Sequence, residues 1–504
     1  MSVADQLQNK INARLAPVLS DYKKRLPLYQ HPKIVRDVLW GFNRYEPYEL
    51  VLIDSPPFQR LRNIFQTSLA LFTYPCSVHS RFEHSLGVAA VASRMLKAIH
   101  ERTKYSNRPM ELTTRIACLV HDLGHGPFSH GSEAFYDSLT DPSTGQLLFG
   151  EDGLLARENR ALFSEASASE ILTYLMVTTP AFKDLWETIV DGYKKSEPDL
   201  EKVDLDLLGK MILGVDEGIK SVDRFYRQIV NGPFDADKLD YLPRDGYFTG
   251  LQINVDIERL LQTVTVIEQD GTTDLGVDSS GATILEQVIF AKTQLYSSVY
   301  HHHKVRSSLQ LLLELFRSMR AGGCRPRDLD LNDPTAYMFL DDYDLLGTRH
   351  DVPQISLLIE KIKARNLPKR ALVITYPCFA ESDQESRDNF KKLEDADFNA
   401  IIQGVRDDLN LGAEMIVFDR PSLPRLFGIA QAPVQIAPNR PPLLLQDIYP
   451  SAAWGKAYAG YRRVTYVFTT AEDRRKVGAS AKSALGRLPT PVRLNDNSLA
   501  LAKL

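Results

Sequence analysis

Hydrophobic residues recur at helical spacing along most of the first 320 residues. The stripe nearest the N-terminus consists of Leu7, Ile11, Leu15 and Leu19. This four-residue spacing predicts one amphipathic helix across residues 1–30. From Phe82 to Glu101, apolar residues again recur every three or four positions, and His84 lies on the same stripe. We therefore expect His84 to point into the core.

Further helices follow from start and stop signals. Asp54 or Ser55 can cap a helix with prolines in its first turn, which we expect to continue to about residue 71. The apolar run 115–120 predicts a buried helix ending at Gly124. A polar excursion over 138–163 should precede a helix at about 164–178, and one long helix should cover roughly 283–320.

β-type patterns occur in two places. Residues 263–278 predict a hairpin that turns at Asp270-Gly271. After Gly322-Gly323, apolar runs at 371–376, 415–419, 434–436 and 463–470 alternate with helical and proline-rich stretches. We predict an N-terminal helix over 1–30, a helical core over 31–320, a helical linker over 321–364 and a small α+β domain over 365–504.

Composition narrows the class of protein. The 504 residues are 44% hydrophobic and 25% charged, which is ordinary for a folded protein. A net charge of −4 argues against a generally basic nucleic-acid surface, although a local basic pocket stays open. Four scattered cysteines do not form a disulfide framework, and no segment predicts a signal peptide or membrane span. We expect a cytoplasmic protein.

The candidate chemistry lies in residues 120–130, which place three histidines and an aspartate in one short segment. His121 and Asp122 come at the end of the predicted helix, so both can reach one ion. A buried carboxylate beside imidazoles is costly unless something pairs with it, and a divalent metal is a common partner. Alone, a His-Asp pair is weak evidence. Arg81 can reach the same pocket as His84, and Asp237 lies on a later charged helix that can supply a carboxylate or simply face solvent.

His84, His121-Asp122 and Asp237, in that order on three helices, resemble the H…HD…D metal signature of the HD-domain phosphohydrolases. The sequence segments around these residues, including 80–88, 235–241 and 300–305, resemble those of one branch of the family, the deoxynucleoside triphosphate (dNTP) triphosphohydrolases. The likeness covers roughly residues 30–320. It implies a mainly α fold: an all-α HD core with a short β-hairpin insertion and a small α+β C-terminal domain.

The resemblance implies a role for each matching position. His84, His121, Asp122 and Asp237 would hold a divalent metal, with Mn, Mg, Fe, Ni and Zn equally compatible. His130 would transfer a proton at the 5′ oxygen, oriented by Glu133, and His125 and Arg81 would contact phosphate. The substrate-binding positions implied by the resemblance are Gln66, Arg81, Lys238, Tyr241, Asp245, His301 and His302, with Arg244 a further candidate for the triphosphate tail.

A second nucleotide site is also implied. Asp54, Gln59 and Arg62, together with Lys304, match positions where nucleotide-activated members of the family bind a guanine nucleotide. Alternatively, the segment over residues 58–62 has a purely structural role. Activation by GTP or dGTP would act through contacts in a homo-oligomer, a dimer or tetramer.

Three positions depart from the family pattern. Ser164-Glu165 stands where the family has His-Glu, which removes an imidazole. Pro243 should interrupt the helix after Tyr241, because proline lacks the N–H and crowds the preceding turn. His301 and His302 occupy the base-binding end, so base preference does not transfer.

The sequence thus predicts metal-dependent hydrolysis of dNTPs to deoxynucleoside and inorganic triphosphate. Two alternatives remain at this point. One is an HD phosphodiesterase or nucleotidase acting on another nucleotide, and the other is a nucleotide-binding sensor or scaffold with little turnover.

Overall fold

Helices make up most of the chain. The structure, a computed structural model, describes all residues except 27–28, 142–143, 348–350, 412–414, 422–426, 439, 451–452, 454–456, 458–460, 462 and 504. The helices before residue 300 are α1 Val3–Lys24, α2 Pro47–Ile53, α3 Pro56–Gln59, α4 Arg81–Arg102, α5 Arg108–Val120, α6 His130–Tyr136, α7 Leu154–Glu158, α8 Arg160–Phe163, α9 Ala168–Val177, α10 Pro180–Tyr193, α11 Leu205–Ile212, α12 Arg224–Val230, α13 Ala236–Thr249, α14 Ile257–Thr263 and α15 Ala282–Leu295.

Helices continue to the C-terminus. They are α16 His303–Ala321, α17 Asp342–Gly347, α18 Pro353–Lys363, α19 Gln384–Lys392, α20 Asp395–Leu409, α21 Phe427–Ala430, α22 Leu445–Ile448, and two further helices, Arg474–Gly486 and Asn497–Ala500. Short 3₁₀ segments include Arg60–Asn63, Ser68–Phe72 and Pro334–Phe339. None of the described helices is both long enough and apolar enough to cross a membrane.

The strands form three small sheets. They are β1 Lys33–Asp37, β2 Gly41–Tyr45, β3 Val264–Gln269, β4 Thr272–Asp278, β5 Lys369–Ile374, β6 Val417–Asp419, β7 Pro433–Gln435, β8 Leu443–Leu444 and β9 Thr465–Thr469. β1 and β2 form an antiparallel hairpin. β3 and β4 form a second hairpin, extended by β7 in parallel to β4 and by β8. In the third sheet β9 lies between β5 and β6, antiparallel to both. The chain is thus mainly α with small β parts, as predicted.

The chain divides into two compact units. The first comprises residues 1–292, 316–351 and 426–451, and the second comprises 293–315, 352–425 and 452–504. In the second unit, β5, β9, α20 and Arg474–Gly486 enclose a core that includes Leu372, Ile374, Phe398, Ile401, Val405, Val467, Val477 and Leu485. The strand at 434–436 forms as β7, but it pairs within the first unit. The exact domain boundaries stay a prediction.

Several predicted helices form where expected. In α1 the four leucine and isoleucine positions of the N-terminal stripe are buried, although the helix ends at Lys24 instead of reaching residue 30. Along α4, Val88, Val91, Met95 and Ile99 are buried with His84. α5 ends at Val120, with His121 as its C-cap. The excursion over 138–163 contains two short helices, α7 and α8, and the next helix begins at Ala168.

The predicted helix from Ser55 to residue 71 is wrong. α3 ends at Gln59 and passes through a 3₁₀ turn to Ile64, which is extended. Phe65 forms an isolated antiparallel bridge with Ser80, and the Gln66 N–H donates to the carbonyl of His79 at 3.0 Å. Pairing with the segment that leads into α4 replaces helical hydrogen bonds here, which a local pattern does not reveal.

The long helix predicted over 283–320 is broken. α15 passes into a π-helical turn over Tyr296–Tyr300, and α16 begins only at His303. The carbonyl of His301 accepts a hydrogen bond from the Tyr466 hydroxyl at 3.2 Å, outside the helical ladder. A π turn of this kind changes the direction in which the following side chains point, relative to a continuous α-helix.

Pro243 does not interrupt its helix, contrary to the prediction. α13 continues from Ala236 to Thr249 and ends at Gly250, whose φ is +73°. Proline costs one hydrogen bond and crowds the carbonyl four residues earlier. Asp240 and Arg244 form a buried ion pair at 2.8 Å across this position, and that pair bridges the turn containing Pro243.

Candidate active site

His84 lies at the end of the first turn of α4, which begins with a capping box between Ser80 and Glu83. The imidazole is buried, and its Nδ1 lies 2.8 Å from Oδ2 of Asp240. Its Nε2 lies 2.9 Å from Oδ1 of Asp237 and 3.7 Å from Oδ2 of Asp122. Burial lowers the pKa of His84, but the Asp237 and Asp240 carboxylates outweigh it and raise the pKa to about 10.

His121 and Asp122 follow directly after α5. Nδ1 of His121 lies 2.8 Å from the carbonyl oxygen of Cys118, so Nδ1 carries the proton and Nε2 is left as an acceptor. That Nε2 lies 3.2 Å from Oδ1 of Asp122 and 3.9 Å from Oδ1 of Asp237. Burial opposes ionisation of Asp122, but Arg81 and three histidines hold its pKa well below its usual range.

Asp237 completes the group from the first turn of α13, where Asp235 is the N-cap. Its side chain is 37% exposed, unlike that of Asp122, which is almost fully buried. The neighbouring His84 and His121 hold the pKa of Asp237 below its usual range against the opposing effect of burial. The four predicted ligands are therefore brought together from three helices.

This donor set fits a divalent metal. His84, His121 and Asp122 each offer a ligand atom within 4.8 Å of the others. Nε2 of both histidines is buried without a well-formed hydrogen bond to any described residue, while carboxylate oxygens face them. Two imidazole nitrogens and two carboxylates suit Mn, Fe, Ni, Zn or Mg. Because both imidazoles donate from Nδ1, their Nε2 lone pairs converge on one point.

The loop over residues 123–129 is held by hydrogen bonds from a residue outside it. The half-buried Arg60 donates to the carbonyl oxygens of Leu123 and His125 at 2.9 and 2.7 Å, and to that of Leu340. Gly124 is required by close approach, since an added Cβ would lie 2.1 Å from the carbonyl oxygen of Ser169. The loop therefore has little freedom to move.

Phe128 and Ser129 hold an unusual backbone conformation just before α6. Their φ angles are +59° and +54°, a region costly for residues with a side chain. Asp342 accepts the Phe128 N–H at 2.5 Å, and the Ser129 hydroxyl donates to the carbonyl of Phe65 at 2.6 Å. These contacts fix the direction in which α6 begins, at His130.

His130 and Glu133 form a dyad at the start of α6. Nδ1 of His130 lies 2.6 Å from Oε2 of Glu133, and the His130 side chain is 73% exposed. The other Glu133 oxygen accepts from the hydroxyl and N–H of Ser169. Burial opposes ionisation of Glu133, but His130 and Ser169 hold its pKa below its usual range. An ionised Glu133 orients the imidazole so that its Nε2 faces solvent.

Arg81 and His125 lie between the metal ligands and this dyad. Nη1 of Arg81 donates to Asp122 at 2.7 Å and its Nε donates to the Ser129 hydroxyl at 2.9 Å. Its Nη2 and Nδ1 of His125 are buried and make no hydrogen bond with a described residue. Burial and the charge of Arg81 lower the pKa of His125 well below its usual range. Both groups can donate to an oxyanion once the imidazole proton is on Nδ1.

The remaining predicted substrate positions differ in how they are held. Lys238 donates to the carbonyl of Gly232 at 3.0 Å and pairs with Asp235. Asp245 is buried 2.7 Å from Nε2 of His79. Gln66 is buried, and its side-chain oxygen has no partner among the described residues. Tyr241 is half-buried on α13, whereas His301 and His302 belong to the second unit. The substrate-binding roles of these residues stay predictions.

Arg244 is not open to the triphosphate tail, for which it was a candidate. It is 1% exposed, and its guanidinium binds Asp240 and Asp37. Ser164, which replaces the family's histidine, is the half-buried C-cap of α8. The structure therefore assigns Arg244 to a buried ion-pair network.

Three of the four positions predicted to bind an activating nucleotide already contact neighbouring residues. Gln59 accepts from Nε of Arg62 at 2.8 Å and donates to the carbonyl of Ile53. Arg62 lies over the ring of Phe82, and Asp54 accepts the Tyr29 hydroxyl. Lys304 lies in the second unit. The activator site stays a prediction.

Sequence reasoning missed several residues that shape this site: Arg60, Ser129, Ser169, Asp240 and Asp342. Asp240 could have been found, because it lies three residues after Asp237 and so one helical turn away. The others act through backbone groups of distant segments, and no local pattern marks them.

Comparison with known proteins agrees with this geometry. A family model described as the HD domain matches residues 81–204, and one described as the HD associated region matches residues 255–493. A crystal structure of a hypothetical protein from Aquifex aeolicus shares the fold, with a TM-score of 0.62 and 23% identity over 90% of this chain and 100% of that one.

Curated relatives are similar over about two thirds of the chain. An uncharacterised protein of Methanocaldococcus jannaschii is 29% identical over 68% of this chain and 60% of its own length. The Dictyostelium discoideum homologue of the deoxynucleoside triphosphate triphosphohydrolase SAMHD1 is 28% identical over 69% of this chain and 61% of its own. The human enzyme of that name is 27% identical over 67% and 54%. The chain thus spans about 60% or less of these relatives. With these two matching regions and its converging histidines and aspartates, the chain contains an HD domain followed by an HD associated region.

Proposed function

We propose that this protein hydrolyses deoxynucleoside triphosphates to deoxynucleosides and inorganic triphosphate with a divalent metal. The observation that carries the proposal is that the buried Nε2 atoms of two imidazoles face two carboxylates beside the free Nη2 of Arg81. A metal held by His84, His121, Asp122 and Asp237 would supply Lewis-acid polarisation of a phosphate oxygen.

The residues around the ligands are suited to hold a phosphate. Nη2 of Arg81 is available for a charge-assisted hydrogen bond, since its other nitrogens are fixed by Asp122 and Ser129. His125 adds a neutral donor on the same side. Lys238, with its side chain 20% exposed, can contribute positive charge to a polyphosphate tail. The arrangement therefore favours a substrate with several phosphate groups.

The proton step is assigned to His130. Water attacks the α-phosphorus and the bond from phosphorus to the 5′ oxygen breaks, so the leaving nucleoside takes both electrons of that bond. His130 donates a proton to the 5′ oxygen; Glu133 stabilises the imidazolium before the transfer and keeps the neutral imidazole oriented after it. The attacking water loses its proton to solvent or to the triphosphate product.

The substrate class rests on the relatives as well as the site. Two of them carry the name deoxynucleoside triphosphate triphosphohydrolase. Gln66 and Tyr241 are the proposed contacts to sugar and base. A tyrosine packed under the sugar can exclude a 2′-hydroxyl. Activation by GTP or dGTP through a homo-oligomer is part of the proposal, with Asp54, Gln59, Arg62 and Lys304 as its residues.

The test is product analysis with the full chain. We would incubate it with each of the four dNTPs in Mn²⁺ and in Mg²⁺, with and without GTP, and resolve products by phosphorus NMR. Asp122→Ala is the inactive control. Triphosphate release that the mutation abolishes is the expected result, and GTP should raise the rate at limiting substrate.

Other outcomes would replace the proposal. Phosphate or pyrophosphate as the product would indicate a phosphodiesterase or nucleotidase. Tight nucleotide binding without turnover would indicate a sensor or scaffold. Ser164, in place of the family's histidine, makes these the outcomes worth measuring.

A further inference from the structure

Asp240 is the most heavily hydrogen-bonded carboxylate near the candidate site. It is fully buried, and it accepts hydrogen bonds from Nδ1 of His84 at 2.8 Å and from Nε and Nη2 of Arg244 at 2.8 and 2.9 Å. The indole N–H of Trp40 donates to its second oxygen. A buried charge requires this degree of pairing. The orientation of His84 therefore depends on groups beyond the metal ligands.

The β1–β2 hairpin supplies two side chains to this network, Asp37 at the end of β1 and Trp40 in the turn. Oδ2 of Asp37 accepts from Nη2 of Arg244 at 2.9 Å, and its Oδ1 caps the N–H groups of Leu39 and Trp40 at 2.7 and 3.0 Å. Arg94 donates to the Trp40 carbonyl and stacks its guanidinium over the indole, 5.1 Å from the ring centroid. The turn is thus fixed to α4 on one side and to α13 on the other.

Gly87 allows this network to press against α4. A Cβ at Gly87 would lie 2.0 Å from Oδ1 of Asp240 and 2.3 Å from Nη2 of Arg244. The carboxylate consequently touches the helix backbone one turn beyond His84, and it has no room to take another position without losing its donors.

We propose that Trp40 and Asp37 are positioning residues for the metal ligand His84. They act through the Asp240–Arg244 pair. The indole and guanidinium fix the Asp240 carboxylate, the carboxylate holds the proton on Nδ1 of His84, and Nε2 is left as a metal donor. A carboxylate partner also makes the imidazole a stronger donor. The proposal rests on the metal assignment under Proposed function and is independent of the substrate.

The first variant is Trp40→Phe in the full chain, which keeps an aromatic ring but removes the N–H donor. Mn²⁺ binding is measured directly, by the electron paramagnetic resonance signal of free Mn²⁺. We expect the dissociation constant to rise roughly tenfold, the lower end of the range for outer partners of metal ligands. The Mn²⁺ concentration for half-maximal activity should rise equally, with the rate at saturating Mn²⁺ largely restored.

Trp186→Phe is the matched control. Trp186 is also a buried tryptophan, and it lies on α10, a helix that carries none of the candidate ligands. Its replacement should leave the Mn²⁺ dissociation constant within twofold of the wild-type value. Asp37→Asn is the second variant, used with Trp40→Phe so that a failure of one to fold does not decide the matter. It too should weaken Mn²⁺ binding severalfold.

Mn²⁺ affinity unchanged in both variants, even with a lower melting temperature, would overturn the proposal and leave the hairpin a purely structural role. His121→Ala separates this result from failure of the metal assignment. If His121→Ala binds Mn²⁺ as tightly as the wild type, the ion is elsewhere, and both the assignment and the positioning proposal fall.

Discussion

At the scale of single residues, the site depends on which atom of each side chain is already occupied. His84 and His121 both use Nδ1 for a hydrogen bond, to Asp240 and to the Cys118 carbonyl, so both present Nε2 to the same point. Arg81 uses Nε and Nη1 and leaves Nη2 free for a ligand. The hydrogen bonds made by these atoms fix the orientation of each side chain, and so the direction in which its remaining nitrogen points.

Glu133→Gln tests the His130 dyad. The amide keeps the size of the side chain but loses the charge that stabilises an imidazolium. We expect the turnover number to fall on the order of 10²-fold, the lower range for general acid–base groups. Mn²⁺ affinity should be unchanged. Steady-state kinetics with direct Mn²⁺ titration would measure both.

The control for this variant is Asp137→Asn, which removes a carboxylate one turn further along from Glu133. Burial and the nearby charge of Glu133 raise the pKa of Asp137 to about 7, and Nδ1 of His130 is bound by Glu133 instead. Its replacement should leave most of the activity. Equal losses in the two variants would show that general electrostatics, and not the dyad, sets the rate.

At the scale of elements, the close approach of α4 and α13 places His84 beside Asp237. Gly87 makes that approach sterically feasible. The loop after α5 is similarly held, by Arg60 against its carbonyls and by Thr173, whose hydroxyl accepts the Gly124 N–H at 2.8 Å. The ligands are therefore as rigid as the helix packing that carries them.

Gly87→Ala should disrupt this packing. The added methyl overlaps the Asp240 carboxylate and the Arg244 guanidinium, and overpacking of a core costs typically about 1–3 kcal/mol. Melting temperature and Mn²⁺ affinity should both fall. The matched control is Gly404→Ala in α20, where nothing lies within 4 Å of the added Cβ. That change should stabilise its helix by about 0.5–1 kcal/mol. A Gly87→Ala protein as stable as the control would contradict the steric argument.

The start of α16 gives a prediction about pH. Burial and the charges of Arg370, His302, Lys304 and Lys503 lower the pKa of His303 to about 3. In the unfolded chain a histidine titrates near ~6.5. Below that pH the unfolded state binds a proton that the folded state does not, so the contribution to stability is complete above about pH 6.5 and is lost as the pH falls.

Urea unfolding at pH 7.5 and pH 5.5 would measure this effect. His303→Asn should reduce the loss of unfolding free energy between the two pH values. His31→Asn, a change at an exposed histidine, should leave the loss as in the wild type. A His303→Asn protein with the wild-type pH dependence would remove this assignment.

At the scale of the whole molecule, we expect metal binding to increase the free energy of unfolding. The folded chain brings the four candidate ligands together from segments that are far apart in sequence, whereas the unfolded chain does not. Metal at 100 times its dissociation constant should therefore stabilise the fold by about 2.7 kcal/mol. A thermal melt with Mn²⁺, and another after chelation, would show the shift.

Asp237→Ala is the control for that melt. It removes one ligand whose side chain is partly exposed, so the fold should survive while the Mn²⁺-dependent shift largely disappears. A shift that persists in Asp237→Ala would place the stabilising ion at a different site.

The sequence by itself determined the helical class, the hairpin at 264–278 and the buried stripe that carries His84. These features depend on hydrophobic periodicity and on turn-forming residues, both of which can be recognised within a window of about ten residues. The sequence also indicated four candidate metal ligands, because His84, His121-Asp122 and Asp237 resemble the metal signature of a known family.

Tertiary structure decided what depends on distant partners. Phe65 leaves its predicted helix to pair with Ser80, and α13 passes through Pro243 with Asp240 and Arg244 paired across that position. The turn at Trp40 reaches the ligand His84 only through Asp240, 200 residues away in the chain. Such contacts form because buried charges and backbone groups must find partners wherever the fold brings them, and no local pattern contains that information.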